Sequence, residues 1–238
     1  MESFERMSNT DKVVVYSGTP NTYDQIVIAM YSLLCHTKVD KIYVLTDGTP
    51  FPYDVPSFVE FIDVSGQTYF PKDSINYNNP WSYMVLLRLA YTKLFPQYSR
   101  VLSLDIDTIV DYDISDMWDF PLDDYYLAAA HERHKSTSDK LYFNMGVAMF
   151  NLKKLREDHK DDELIQACLT KKYMFCEQDC INELCEGMIY DMPSDYNVTL
   201  FNEIPVNIKI VHFAAIKNYR NEPLFQFYAN LMRERKVQ

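Results

Sequence analysis

RVLSLDIDTIVD, residues 100–111, ends an apolar run with two aspartates, Asp105 and Asp107, and a third, Asp111, close behind. Val101, Leu102 and Leu104 read as a buried strand. In an extended chain residues i and i+2 point the same way, so Asp105 and Asp107 are expected to present two carboxylates to one place. Such charges repel and raise a pKa unless a cation lies between them. A divalent ion, which takes oxygen ligands, removes the conflict. Solvated loop aspartates are the plainer alternative, but apolar residues flank the pair on both sides. The strand is expected to end at an ion.

Elements on either side of this stretch set the fold class. KVVVYSG (12–18) is a β-branched run stopped by Gly18, and TYDQIVIAMYSLLCH (22–36) has Ile26, Met30, Leu33 and Leu34 at helical spacing. KIYVLTDG (41–48) and PSFVEFIDVSG (56–66) repeat the strand signal. A helix is expected from about Ser82 to the stop at Pro96. Strands alternating with helices predict a mostly parallel α/β sheet flanked by helices, whose ligands gather beyond the C-terminal strand ends. Asp105 and Asp107 lie at such an end.

The second half continues with a strand in YYLAAAH (125–131), a polar loop in HERHKSTSDK (131–140), and an apolar run in LYFNMGVAMFNL (141–152) that contains Gly146. One charged helix is expected over 153–169, a short helix over 177–187, a strand in KIVHF (209–213) and a closing amphipathic helix over 223–236. No repeat or low-complexity linker interrupts the chain. A flexible tail over 1–11 followed by one domain over 12–238 is the simplest division.

Composition narrows the function. The chain has 238 residues, 47% of them apolar, and a formal net charge of −11. That acidity argues against a nucleic-acid partner, and no window reaches the roughly 18 apolar residues of a membrane span. MESFERMSNTD is polar and acidic rather than a secretory signal, and Cys35, Cys168, Cys176, Cys180 and Cys185 lack CxxC spacing. Buried reduced thiols are favoured over a zinc or redox site, and a cytoplasmic location is expected. The five glycines, Gly18, Gly48, Gly66, Gly146 and Gly187, form neither GxGxxG nor a P-loop. A bound diphosphate would have to be gripped through a metal ion instead.

Five motifs together resemble glycosyltransferase family 8: the helix end and the DxD strand of LRLAYTKLFPQYSRVLSLDIDTIV, then FNMGVAMFNLKKL, EQDCIN and HFAAIKNY, in the family's order, with the resemblance running from Val13 to about Arg220. The resemblance implies a GT-A type nucleotide-diphospho-sugar transferase fold, with the DxD at a strand end. It implies a retaining hexosyltransferase that moves glucose or galactose from a UDP-sugar, with Mn²⁺, or Mg²⁺ in its place, as cofactor. By position it puts the metal on Asp105, Asp107 and His212. It assigns the donor to Tyr16, Ser17, Tyr23, Arg88, Asp105, Ile106, Asp107, Asn144, Gly146 and Lys217, and the chemistry to Glu177, Gln178, Asp179 and Lys217. The two carboxylates and imidazole of such a ligand set suit Mn²⁺ better than Mg²⁺. Arg88 lies on an apolar helix face, where a buried arginine needs an anion.

This chain departs from the family at Gly18-Thr19, where Asp or Asn is usual, and at Glu177, one methylene longer than the family's aspartate. His131 stands where many members carry an aspartate. Between His212 and Lys217 the closing motif is one residue shorter, with Ala215 for the usual glycine. Two alternatives stand beside the transferase. One is a haloacid-dehalogenase-type phosphatase, which also uses DxD, though normally on the first strand. The other is a UDP-sugar-binding domain without transfer. The residues identify neither the acceptor, which could be a glycan, a lipid-linked sugar, a protein or a small molecule, nor the oligomeric state.

Overall fold

The structure is a computed structural model, and it describes residues 11–137, 139–200 and 205–235. Apart from Asp11, the expected tail lies outside these residues. The strands are β1 (Val13–Ser17), β2 (Lys41–Thr46), β3 (Val59–Asp63), β4 (Arg100–Leu104), β5 (Thr108–Val110), β6 (Leu127–His131), β7 (Phe143–Asn151), β8 (Ile189–Asp191) and β9 (Ile210–His212). The helices are α1 (Tyr23–His36), α2 (Tyr91–Leu94), α3 (Leu152–Glu157), α4 (Lys160–Thr170), α5 (Cys176–Leu184) and α6 (Pro223–Arg235).

Seven strands form one sheet in the order β3-β2-β1-β4-β7-β6-β8. Neighbours pair in parallel, except that β7 runs antiparallel to both β4 and β6. The inner strands are buried on both faces, as the β-branched runs of β1 and β2 predict. Val13 and Val15 point into one core with Leu86, Leu89 and Phe150, while Val14 and Tyr16 point into the other with Ile26, Leu33 and Phe225.

Three local expectations are corrected. Residues 83–90 form a 3-10 helix, and only Tyr91–Leu94 is α-helical. Ser82 starts this segment at φ 74°, with its hydroxyl accepting from the Met84 N–H at 3.3 Å. The charged helix over 153–169 is two helices, broken at His159, which takes the left-handed φ of 53°. The third correction concerns the DxD itself. β4 stops at Leu104, and Asp105-Ile106-Asp107 is a turn into β5. Thr108 closes that turn by donating its hydroxyl to the Asp105 carbonyl at 2.7 Å.

The short antiparallel sheet of β5 and β9 went unpredicted. Its register pairs Thr108 with His212, and the Phe213 N–H donates to the Asp107 carbonyl at 2.9 Å. A segment a hundred residues downstream is thereby stitched to the DxD turn.

Candidate active site

A cleft of about 580 Å³ opens where β1 and β4 diverge to opposite neighbours. In open α/β sheets, ligands bind at such a switch point, outside the strand ends. Gly18 follows β1, Asp105 follows β4, and Asn144 and Gly146 lie on β7. Because β7 runs antiparallel, its first residues reach the ends of its neighbours. The Asp105 N–H donates to the Gly146 carbonyl at 2.7 Å, which fixes that approach.

Asp105, Asp107 and His212 come together here, with one ligand atom from each lying within 4.8 Å of the others. His212 Nε2 stands 3.3 Å from Asp107 Oδ1 and 3.9 Å from Asp105 Oδ2. Burial pulls the His212 pKa down, but the carboxylates of Asp107, Asp105 and Glu132 together turn the net direction up. For Asp107 burial pushes the pKa up, and His212 turns the net direction downward. Two carboxylates and an imidazole nitrogen converging on one point fit a divalent cation. Asp111 plays no part in this grouping, since its carboxylate accepts from the Tyr228 hydroxyl at 2.6 Å.

The orientation of the His212 ring follows from one backbone donor. The Gly146 N–H, whose direction is unambiguous, donates to Asn144 Oδ1 at 2.9 Å. Asn197 must then offer its Nδ2 to the same oxygen, at 3.0 Å, and so turns its Oδ1 toward His212 Nδ1, 2.9 Å away. An amide oxygen only accepts. Nδ1 therefore carries the proton and Nε2 faces the two aspartates. The other amide face of Asn144 donates to buried Glu132 at 2.6 Å. Gly146 is required by packing: a Cβ there would lie 2.7 Å from both ring nitrogens of His212.

Arg88 is buried beneath the cleft. It donates to Asp105 Oδ1 at 2.6 Å and to the Met145 carbonyl, and it lies 3.4 Å from Glu177. Burial pushes the Glu177 carboxyl up to about 7, with Arg88 opposing. Arg88 thus holds Asp105 in place and meets the anion that a buried guanidinium needs. Gln178 lines the same wall, with Oε1 accepting from the Met145 N–H at 3.0 Å and Nε2 donating to the Tyr142 hydroxyl at 3.1 Å.

Of the residues singled out from the sequence, Ser17, Arg88, Asp105, Ile106, Asp107, Asn144, Gly146, Glu177, Gln178 and His212 line the cleft. Four do not. Tyr16 is fully buried behind it. Tyr23 donates to the Thr49 carbonyl at 3.1 Å. Asp179 accepts from Tyr142 and from the Phe175 N–H, at 2.5 and 2.8 Å. Lys217 is exposed, outside the lining. Sequence reading missed Glu132, Asn197, Trp81 and Tyr219. Glu132 was hidden in the expected polar loop; a register shift in β6 between Ala129 and His131 precedes it, and such irregularities re-aim side chains. His131 itself bonds Asp191 at 2.9 Å. Cys168, Cys176, Cys180 and Cys185 are buried core thiols.

Comparison with known proteins agrees with this geometry. The chain is 26% identical to glycosyltransferase GlyE of Streptococcus pneumoniae serotype 4 over 96% of its own length and 60% of that protein's. It is 28% identical to a putative glycosyltransferase of Haemophilus influenzae over 55% of this chain and 42% of that one. The chain thus spans about half the length of these relatives. Among solved structures, the galactosyltransferase LgtC in complex with donor and acceptor sugar analogues superposes with a TM-score of 0.69 at 20% identity, covering 92% of this chain and 95% of that one. The fold is that of these GT-A enzymes, and nothing in it favours the phosphatase alternative. The sequence model described as glycosyl transferase family 8 matches residues 13–221, and the chain belongs to that family.

Proposed function

We propose that the protein is a metal-dependent retaining glycosyltransferase that moves a hexose, glucose or galactose, from a UDP-sugar to a hydroxyl acceptor. The observation that carries this reading is the convergence of Asp105, Asp107 and His212 at the switch point of the sheet. These three side chains would hold Mn²⁺, or Mg²⁺ in its place. The ion would supply positive charge for the diphosphate, the task a glycine cradle performs elsewhere.

The chain's own residues do the rest. Arg88 keeps the Asp105 carboxylate turned toward the cation site. Asn197 keeps the His212 ring in the tautomer whose Nε2 can ligate. Gln178 faces the reacting sugar, but its Oε1 already accepts a hydrogen bond from the Met145 N–H, which leaves it a poor nucleophile. This supports a front-face displacement. The bond from the sugar's anomeric carbon to UDP breaks while the acceptor oxygen adds on the same face, and the acceptor proton passes to the departing phosphate oxygen. Lys217 would stabilise UDP only if its exposed segment folded inward on binding.

The test is UDP release from a panel of UDP-sugars, with Mn²⁺ and with EDTA. Metal-dependent release from one hexose donor is expected. Tight UDP binding without release, even with acceptors supplied, would turn the reading toward a binding domain that lacks transfer. Phosphomonoester cleavage without nucleotide would contradict it.

A further inference from the structure

The two ends of the cleft differ in chemistry. On the β1 side it is lined by Ser17, Thr19, Asn21 and Gln25; on the β6 side by Glu132, Lys135, Trp81 and Phe175. The Trp81 and Phe175 rings lie 5.8 Å apart, and Lys135 Nζ stands 3.9 Å over the Phe175 ring and 2.7 Å from Glu132. Trp81 leaves 49% of its surface open to solvent. A large aromatic ring is seldom left so bare inside a concave site without a ligand to cover it.

The backbone at both rings adds an independent sign. The residue after Trp81 is Ser82 at φ 74°, and the residue after Phe175 is Cys176 at φ 47°. Together with Ala215, at φ 64° on the cleft wall, they are three of the four non-glycine residues with positive φ among those described. Such strain costs free energy and gathers where a site demands it. Here two of these residues directly follow the aromatic side chains that line the cleft.

We propose that Trp81 and Phe175 form the acceptor platform and that the acceptor is a saccharide. The assignment rests on the donor reading above. With the nucleotide at the switch point between β1 and β4, the β6 side of the cleft is left for the incoming hydroxyl. A pyranose ring presents one face of C–H groups, which covers the indole, and a rim of hydroxyls. Those hydroxyls meet Lys135, Glu132 and Gln178 at the foot of the platform. A flexible aliphatic acceptor would have little use for that polar rim.

The test uses the full chain carrying Trp118→Phe, which leaves Trp81 as its one tryptophan. With UDP and Mn²⁺ present, its emission is titrated with methyl glucosides, methyl galactosides, lactose and N-acetylglucosamine, and with a tyrosine peptide. A saturable shift with a glycoside and none with the peptide is expected. Trp81→Ala should raise the KM for that glycoside by about tenfold with UDP–Mn²⁺ affinity, by calorimetry, within about twofold of wild type. Trp81→Phe, which keeps a ring, should restore most of the loss. UDP binding with no response to any glycoside, or a response to the peptide alone, would overturn the platform and leave the donor reading standing. A glycoside response in a protein that binds no UDP would keep the platform and sink the donor reading.

Discussion

His212 Nδ1 lies 2.9 Å from Asn197 Oδ1, while its Nε2 lies 3.3 Å from Asp107. Asn197 is fully buried and itself held by Asn144, so it has one task available: to orient the ring. Partners of this kind are worth about 10–100-fold in metal affinity. Asn197→Ala should weaken Mn²⁺ binding by that range, measured by calorimetry on the folded protein. Wild-type affinity in that variant would mean that packing against Gly146 alone orients the ring.

Arg88 and Glu177 should behave as a unit. Arg88→Met leaves the Glu177 carboxylate buried without its counter-charge, which costs about 3–5 kcal/mol. Because burial already pushes Glu177 to about 7, part of that cost can be relieved by protonation. Adding Glu177→Gln to Arg88→Met should recover stability relative to the single variant in urea denaturation. Simple additivity of the two changes would show that the pair is not coupled.

Ala215 occupies the left-handed conformation, φ 64°, at the position where the family usually has glycine. An L-residue held there pays roughly 1–2 kcal/mol. Ala215→Gly removes that strain but frees the unfolded chain, so a net gain of about 1 kcal/mol or less is expected. A fall in thermal midpoint would show that the methyl group makes a contact worth more than the strain.

Asp161 is buried between Thr92, which donates to it, and Lys93, whose Nζ stands 2.9 Å away. Burial pushes its pKa up, but these two partners outweigh burial and hold it below the usual carboxylate range. A depressed folded-state pKa stabilises the fold above the ordinary value near ~3.9, and that contribution is lost as pH falls through the folded value. Asp161→Asn should be less stable at pH 7 by about 1–3 kcal/mol. Its stability should also depend less steeply on pH below about 4. An unchanged acid slope would refute the assignment.

Much of the fold can be read from local pattern. The β-branched runs before Gly18 and Asp47-Gly48, and the apolar spacing of α1, each correspond to an element close to where pattern puts it. Long-range pairing was not legible. Nothing local announces that β7 runs antiparallel, or that His212 pairs opposite Thr108 in a separate two-stranded sheet. Asp105 and Asp107 do come together, but a turn and not strand alternation brings the two carboxylates to one place. The 3-10 segment over 83–90 keeps an apolar spacing close to that of an α-helix, so its tighter winding was hidden. Glu132 and Asn197 were missed because a buried polar residue in a loop carries no periodic signal. Only the hydrogen bonds running from the Gly146 N–H to the His212 ring reveal what they do.

On the proposed function, Asp105, Asp107 and His212 hold a cation through which UDP is gripped. The most direct measurement is a calorimetric titration of UDP into the wild-type protein with Mn²⁺ and again with EDTA, repeated for Asp107→Asn. Binding that appears with Mn²⁺, vanishes with EDTA and is lost in Asp107→Asn is the predicted result. Equal UDP affinity with Mn²⁺ and with EDTA would contradict the account.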